Sequence, residues 1–231
     1  MECISVFDML KIGVGPSSSH TLGPWRATER WISELEDEGV FEQVQSISVS
    51  LYGSLSLTGK GHATDIAVAM GLLGADPVTV PIDSISGSID RIKKEGKILF
   101  DGKLEIPFNY SQDITFKKEF LPFHANGIRF TAQLSNGKIV EETYYSIGGG
   151  FVVKEELLHS KENKETFKTF PYPIKTGNEL LHYCETEKKS ISEIVMENEL
   201  SLRSSEEIDQ GLQSIWNTML ECMYVCCQTQ G

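Results

Sequence analysis

One polar loop of this sequence, residues 15–21, places a histidine among hydroxyl groups just before a helical pattern begins. Its polar side chains are those of Ser17, Ser18, Ser19, His20 and Thr21. Hydroxyls and the free backbone N–H groups at a helix start can bind a carboxylate or a phosphate, and an imidazole beside them can transfer a proton. A plainer alternative stays open, in which Ser19 or Thr21 caps the helix and the rest is a polar turn.

A second polar loop, residues 58–65, also stands between a strand pattern and a helical pattern. Its candidate side chains are those of Lys60, His62, Thr64 and Asp65. A nucleotide-binding P-loop is rejected, because Lys60 is followed by Gly61 rather than by Ser or Thr, and no glycine stands five residues before Gly59. The loop presents a cation and an imidazole at a helix start, so His62 is either an acid or base or an ordinary surface histidine.

A third segment with an open role is the glycine-rich stretch that follows Ser146. Gly148, Gly149 and Gly150 allow backbone conformations, or an approach to a ligand, that a Cβ atom would block. The segment is therefore either a ligand contact or a glycine-rich exit from a sheet.

Three cysteines lie close together near the C-terminus, at positions 222, 226 and 227. A metal site is not favoured, because the spacing has no C-x-x-C element and zinc sites or iron–sulfur clusters usually need about four converging ligands. On a helix Cys222 and Cys226 share a face, while Cys227 points about 100° away. We expect buried helical cysteines and assign no metal ligand.

The elements that position these loops follow from the periodicity of the apolar residues. Helices are expected at about residues 21–38, 63–73 and 82–96, with a half-buried strand around residues 46–51. The middle third changes to a period of two, and Asp101-Gly102 and Asn136-Gly137 favour two-residue hairpin turns, which predicts an antiparallel sheet. The predicted class is α+β: a mixed α/β domain with an antiparallel sheet and helices packed against it, followed by a helical C-terminal segment.

The predicted domain organisation has three parts. Residues 1–160 form the mixed domain, residues 161–189 form a charged linker, and residues 190–231 form helices. Ser204 and Glu207 match a capping box at the start of the last helix. That helix carries an apolar stripe, which needs a partner surface and consists of Ile208, Leu212, Ile215, Met219 and Met223.

Composition excludes several classes of partner. The 231 residues include 33 Asp and Glu against 21 Lys and Arg, and the net charge of -12 argues against nucleic acid and against an anionic membrane surface. The longest apolar run, residues 66–75, is about half of a membrane span, and the N-terminus lacks the basic region of a signal peptide. Five cysteines, an odd number, do not fit a secreted disulfide framework. We therefore expect a cytoplasmic protein with reduced thiols.

Four segments taken together resemble one family. They are residues 5–8 (Ser-Val-Phe-Asp), residues 13–24 (Gly-Val-Gly-Pro-Ser-Ser-Ser-His-Thr-Leu-Gly-Pro), residues 58–65 (Thr-Gly-Lys-Gly-His-Ala-Thr-Asp) and residues 145–151 (Tyr-Ser-Ile-Gly-Gly-Gly-Phe). In order and context they are similar to the β-chain or β-domain of iron–sulfur-dependent bacterial L-serine dehydratases, over about residues 1–160. Residues 191–231 resemble the first helices of that family's α, or catalytic, domain.

The resemblance implies an L-serine ammonia-lyase, which converts L-serine to pyruvate and ammonia with a [4Fe-4S] cluster as Lewis acid and without pyridoxal phosphate. It implies His20 and His62 as proton-transfer residues. The substrate-binding set that it implies comprises Ser17, Ser18, Ser19, Thr21, Lys60, Thr64, Asp65, Ser146 and Gly148. An α-type catalytic domain, in cis or in trans, would be the partner, and the enzyme would be a homo-oligomer.

The C-terminal sequence departs from the family pattern. The family has Gly-Cys-x-Thr-Glu-Gly before a Leu-Pro-Gly-Gly-Leu segment, whereas this chain has Cys226-Cys227-Gln228-Thr229-Gln230-Gly231 and then ends. The family's cluster cysteines lie further along, so we expect a chain truncated before them, which alone binds no competent cluster and has no dehydratase activity. The alternative is a non-catalytic serine-binding or allosteric module, similar to domains of some phosphoglycerate dehydrogenases, in which the same loops bind a ligand without chemistry.

Overall fold

The structure, a computed structural model, describes residues 4–159 and 170–229. These residues form two compact units: residues 13–159 make up the larger, and residues 4–12 together with residues 170–229 make up the smaller. The predicted division of the chain after residues 160 and 189 stays a prediction. Residues 161–169 of the predicted linker lie outside the described residues.

The larger unit alternates helices with strands in its first part and is mainly β in its second. Its helices are α2 (Gly23–Asp37), α3 (Ser54–Thr58), α4 (Thr64–Leu72), α5 (Ile82–Glu95), α6 (Tyr110–Asp113) and α7 (Glu155–His159). Its strands are β1 (Val44–Tyr52), β2 (Lys97–Phe100), β3 (Leu104–Pro107), β4 (Ile114–Lys117), β5 (Gly127–Leu134), β6 (Ile139–Gly148) and β7 (Phe151–Lys154). The smaller unit contains α1 (Val6–Met9), α8 (Gly177–Glu187), α9 (Ile191–Leu200) and α10 (Ser205–Gln228).

The main sheet has the strand order β4-β1-β5-β6-β7. Strand β1 pairs antiparallel with β5, and its other edge pairs parallel with the short strand β4, with Val49 opposite Ile114. Strands β2 and β3 form a separate two-stranded antiparallel sheet. The mixed α/β class is confirmed, whereas the expectation that the middle third forms one antiparallel sheet is wrong, because its strands divide between two sheets and β4 pairs in parallel.

The core of the larger unit lies between α2 and the sheet. Trp31 of α2 is fully buried, and its ring stacks on Phe130 of β5 at a centroid distance of 4.8 Å. Helix α4 packs beside α2 and is buried along most of its length, as its nearly continuous apolar sequence requires. This packing fixes the N-terminal ends of α2 and α4, and each of these ends follows one of the polar loops.

The smaller unit is helical. Capping boxes stabilise the starts of its helices, and a buried carboxylate links its N-terminal segment to α9. The capping box predicted from Ser204 and Glu207 is confirmed at the start of α10. Glu199 of α9 is buried and accepts hydrogen bonds from the Ser5 hydroxyl and the Val6 backbone N–H, at 2.8 and 2.7 Å. Helix α8 lies within the segment that was expected to be a linker. Thr176 caps this helix with a capping box that was not predicted from the sequence.

Helix α10 exposes much of its apolar stripe. Ile208 is buried, but Leu212, Met219 and Met223 are exposed, and so is Trp216, which retains 52% of its accessible surface. Cys222, Cys226 and Cys227 are also exposed. The expectation of buried helical cysteines is therefore wrong, because the side of α10 that carries them has no cover within the described part of the chain. None of the helices in the described residues is long and apolar enough to cross a membrane.

Candidate active site

The first polar loop turns into α2 through one wide helical turn, Ser18–Leu22, which has the i to i+5 hydrogen bonds of a π-helix. The cap of this turn is Ser17, whose hydroxyl accepts a hydrogen bond from the His20 N–H at 3.2 Å. The sequence had pointed to Ser19 or Thr21 as the cap, and this detail is corrected. Single π turns are rare and often occur at functional sites. His20 lies in the middle of this turn.

Both ring nitrogens of His20 contact serine hydroxyls. Its Nδ1 lies 2.9 Å from Ser19 Oγ, on the same loop, and its Nε2 lies 3.0 Å from Ser54 Oγ, at the start of α3. A neutral imidazole has one donor and one acceptor nitrogen, so one hydroxyl must donate to the ring while the other accepts from it. The ring is thereby held on two sides and is only partly exposed.

The second polar loop is tied to the first by two reciprocal hydrogen bonds. The Thr21 hydroxyl donates to the His62 carbonyl oxygen at 2.9 Å, and the Thr64 hydroxyl donates to the His20 carbonyl oxygen at 2.6 Å. Ala63, between His62 and Thr64, takes the left-handed conformation with φ of 54°, which turns the chain into α4. As a result the two imidazoles lie close together and tilted, with ring centroids 4.9 Å apart and an interplanar angle of 40°.

The surroundings of His20 favour its neutral form. Burial of the imidazole lowers the pKa of His20 below its ordinary value of 6.5, and the neighbouring His62 lowers that pKa further, because two imidazolium charges at this distance repel each other. A histidine of this kind is unprotonated near pH 7. His20 can therefore accept a proton from a bound molecule.

Ser146 supports the first loop from the side of the sheet. It is fully buried at the end of β6, and its hydroxyl donates to the Ser19 carbonyl oxygen at 2.8 Å. Gly23 faces it at the start of α2, where a Cβ atom would overlap the Ser146 hydroxyl. Asn126 holds Ser146 in turn, since its side-chain amide donates to the Ser146 carbonyl oxygen at 3.0 Å. Ser146 thus contacts the loop backbone and acts as a brace for His20.

The other predicted site residues lie around this centre with different partners. The Asp65 carboxylate accepts a hydrogen bond from the Tyr110 hydroxyl at 3.0 Å, and burial together with this carboxylate raises the pKa of Tyr110. The Lys60 ammonium lies 5.7 Å from the centre of the Phe116 ring. Ser18 is exposed at the start of the π turn. Gly148 has φ of 101° and has open space where a Cβ atom would stand, so backbone conformation, rather than crowding, favours glycine there.

Ser54 and Asn126 are parts of the site that the sequence analysis missed. Ser54 follows Gly53, just after the predicted strand. A polar side chain at a strand-to-helix junction is a weak sequence indication of a site residue. Asn126 offers no local signal, because its bond to Ser146 depends on the antiparallel pairing of β5 with β6.

The described residues do not fit an iron–sulfur cluster or another metal centre. Among them, no group of three or more His, Cys, Asp or Glu side chains converges as metal ligands would. The described cysteines are Cys184 of α8 and the three exposed cysteines of α10. No metal ligand is assigned among these residues.

The mixed α/β unit thus brings together two helix-start loops, each carrying a histidine, and these loops form the candidate site. The family model described as "Serine dehydratase beta chain" matches residues 5–157. This chain belongs to the serine dehydratase β-chain family. The resemblance first noted in the loop motifs is thereby confirmed.

Curated relatives match almost the whole chain. It is 44% identical to L-serine dehydratase 1 of Escherichia coli over 229 residues, which cover 99% of this chain and 50% of that protein. It is 42% identical to an L-serine dehydratase of Streptomyces coelicolor over 95% of this chain and 49% of the relative. It is 36% identical to an L-serine dehydratase of Helicobacter pylori, over 96% of this chain and 48% of that relative. The chain spans about half the length of the curated relatives it matches.

Proposed function

We propose that this chain supplies the β-type half of an L-serine ammonia-lyase, the half that binds L-serine and moves protons. The observation that carries the proposal is the His20–His62 pair, whose rings lie 4.9 Å apart and whose backbones are tied by reciprocal threonine hydrogen bonds. The printed names of the relatives support the same reaction, because they are L-serine dehydratases.

The reaction needs one proton removed and one hydroxyl expelled. Loss of the α-proton and of the β-hydroxyl, as water, turns L-serine into aminoacrylate. This product tautomerises to an imine, which water hydrolyses to pyruvate and ammonia. His20, neutral near pH 7, takes the α-proton, and His62 is the second proton-transfer group. The assignment of these roles follows from the lowered pKa of His20 and from the distance between the rings.

The remaining candidates divide between binding and bracing. Ser18 and Ser19, at the N-terminal end of the π turn, bind the substrate carboxylate together with free backbone N–H groups. Ser17 caps the turn, Thr21 and Thr64 lock the two loops together, and Ser146 braces the first loop. Gly148 leaves room beside the site, while Lys60 and Asp65 shape the second loop through Phe116 and Tyr110.

The complete enzyme of this proposal has a second part. An α-type catalytic domain, in cis or in trans, carries the [4Fe-4S] cluster that the family resemblance implies, and no cluster ligand is assigned among the described residues. The relatives are about twice the length that this chain covers, which supports such a part. The reaction uses no pyridoxal phosphate. The homo-oligomer and the cytoplasmic location stay predictions.

A chimera tests the proposal. The chain is joined to the half of L-serine dehydratase 1 of Escherichia coli that it does not cover, and pyruvate formation from L-serine is measured anaerobically. His20→Asn and His62→Asn should each lower kcat by at least about a hundredfold, the usual contribution of a general acid or base. His182→Asn, on an exposed residue of α8, is the matched control and should leave kcat unchanged.

The isolated chain separates an enzyme half from a binding module. After anaerobic treatment with iron and sulfide it should show no pyruvate formation, and a visible cluster absorption accompanied by turnover would contradict the proposal. Calorimetry with L-serine adds a second readout: tight binding to the isolated chain without iron, together with an inactive chimera, would indicate a non-catalytic regulatory module.

A further inference from the structure

Ser54 holds the His20 ring from outside the loop that carries this histidine. Ser19, the other hydroxyl on the ring, is adjacent to His20 in sequence and moves with it. Ser54 lies 34 positions further along the chain, as the first residue of α3, and its Oγ lies 3.0 Å from Nε2 of His20. Of the two hydroxyls, therefore, the one from Ser54 can fix the ring relative to the sheet.

The backbone of Ser54 is itself fixed by the segment that leads into β5. The Ser54 N–H donates to the Ala125 carbonyl oxygen at 2.8 Å, and the Gly53 N–H donates to the Glu119 carbonyl oxygen at 2.9 Å. Gly53 has φ of 55°, and a Cβ atom there would overlap the Ala125 carbonyl oxygen, so only glycine allows this approach. The backbone that carries the Ser54 hydroxyl is consequently fixed by contacts within the larger unit.

The segment that holds Ser54 also holds the second brace of the loop. Asn126, next to Ala125, bonds to Ser146, and Ser146 donates to the Ser19 carbonyl oxygen. Residues 125 and 126 therefore set the ring of His20 through Ser54 and the backbone next to His20 through Ser146. One short segment supports the imidazole at two separate points.

We propose that Ser54 is a positioning residue for His20: its hydroxyl, as the partner of Nε2, orients the imidazole and biases which ring nitrogen carries the proton. Because a neutral imidazole exposes its lone pair at only one nitrogen, this bias affects the direction from which His20 takes a proton. The role rests on the proposed function in so far as it concerns serine turnover. The orientation of the ring does not depend on it.

The test compares two nearly isosteric variants of the full chain. Ser54→Val removes the hydroxyl and Ser54→Thr keeps it, while both add similar bulk at a partly exposed position. Ser56→Ala, in the same short helix, is the matched control. Nitrogen-15 NMR of the histidine rings reports the ratio of the two tautomers of His20. Ser54→Val should change this ratio by about twofold to tenfold, which corresponds to one ordinary hydrogen bond, and Ser54→Thr and Ser56→Ala should preserve it.

Activity of the chimera gives the second arm. Ser54→Val should lower kcat by about threefold to tenfold with KM nearly unchanged, and Ser54→Thr should restore it. Unchanged His20 ring resonances in Ser54→Val would overturn the positioning role, and so would altered resonances with an unchanged kcat. If the wild-type chimera forms no pyruvate, the proposed function fails, while the NMR ratio still decides whether Ser54 orients the ring.

Discussion

The histidine loops and helix α10 differ in how far the chain itself satisfies their side chains. In the loops, the polar groups around His20 bond to one another across four segments of the larger unit. On α10, apolar side chains such as Met219 and Met223 remain about half exposed. The geometry of the loops is thus determined within this chain, whereas the apolar face of α10 is left without an equivalent set of contacts among the described residues.

Two tryptophans make the comparison measurable, because the same side chain occurs in both settings. Trp31 is fully buried under the sheet of the larger unit, and Trp216 retains 52% of its surface on α10. Burial removes apolar surface from water in proportion to area, so the free energy lost on truncation should differ severalfold between the two positions.

The largest expected effect is that of Trp31→Ala. Loss of the indole leaves a cavity against Phe130 and Phe100, and the free energy of unfolding should fall by about 3–5 kcal/mol. Urea denaturation followed by near-UV circular dichroism measures it. Trp31→Phe is the matched variant: it keeps an aromatic ring and removes a buried indole N–H that has no partner among the described residues, so its cost should be much smaller. Equal costs would contradict this account.

The second effect concerns a partly buried ion pair between α2 and β7, formed by Lys154 and Glu34, whose Nζ and Oε2 atoms lie 2.7 Å apart. Lys154→Met removes this hydrogen bond to the Glu34 carboxylate but leaves Arg30 as its cationic partner, so the free energy of unfolding at pH 7 should fall by about 1.5–3 kcal/mol. Burial acts to raise the pKa of Glu34, but hydrogen bonds from Lys154 and Tyr144 outweigh it and hold the pKa below its ordinary value of 4.5.

The sign of the pH dependence follows from this shift. A carboxyl group with a lowered pKa stabilises the fold above its unfolded pKa and loses that contribution as the pH falls through the folded value. The difference in the free energy of unfolding between wild type and Lys154→Met should therefore reach its full value above about pH 5 and should shrink below about pH 4.5. A difference that stays constant down to pH 3 would show that Lys154 contributes by packing alone.

The sequence predicted structure correctly where that structure depends on neighbouring residues. Asp101-Gly102 predicted the turn between β2 and β3 because both residues must take positive φ there, and the structure has 50° and 64°. Asn136-Gly137 also marked the turn between β5 and β6, although only Gly137 takes positive φ there, at 82°. In contrast, the parallel pairing of Val49 with Ile114 joins residues far apart in sequence, and the four-residue strand β4 has too short a pattern to reveal it.

The same distinction applies to the candidate site. Both histidines were candidates from their own loops, since the helix starts and the hydroxyls stand beside them in sequence, and the family resemblance favoured the functional interpretation. Ser54 was missed because its contact with His20 depends on where β1 ends in the fold. Burial of the cysteines on α10 was expected wrongly, because helical periodicity identifies an apolar face but does not reveal whether anything in the chain covers it.

A smaller effect is expected within the histidine pair. Burial is the larger cause of the lowered pKa of His20 and His62 the second, so His62→Gln should raise the midpoint of His20 without returning it to 6.5. An NMR titration of the ring protons measures this midpoint, with His182→Gln as the control. A histidine with a lowered pKa stabilises the fold fully above pH 6.5, and this contribution is lost as the pH falls through its folded pKa. In His62→Gln, therefore, the free energy of unfolding should fall less between pH 7 and acidic pH than in the wild type. A wild-type midpoint at or above 6.5 would contradict both statements.

The smallest expected effect completes the comparison with Trp31. Trp216→Ala should change the free energy of unfolding by no more than about 0.5 kcal/mol, because the lost contacts are partial and alanine is the better helix former. The measurement is urea denaturation at two protein concentrations tenfold apart. If Trp216→Ala instead costs as much as Trp31→Ala, and the cost grows with concentration, a second copy of the chain covers α10 in solution. The contrast between the loops and this helix would then hold for the single chain and not for its assembled form.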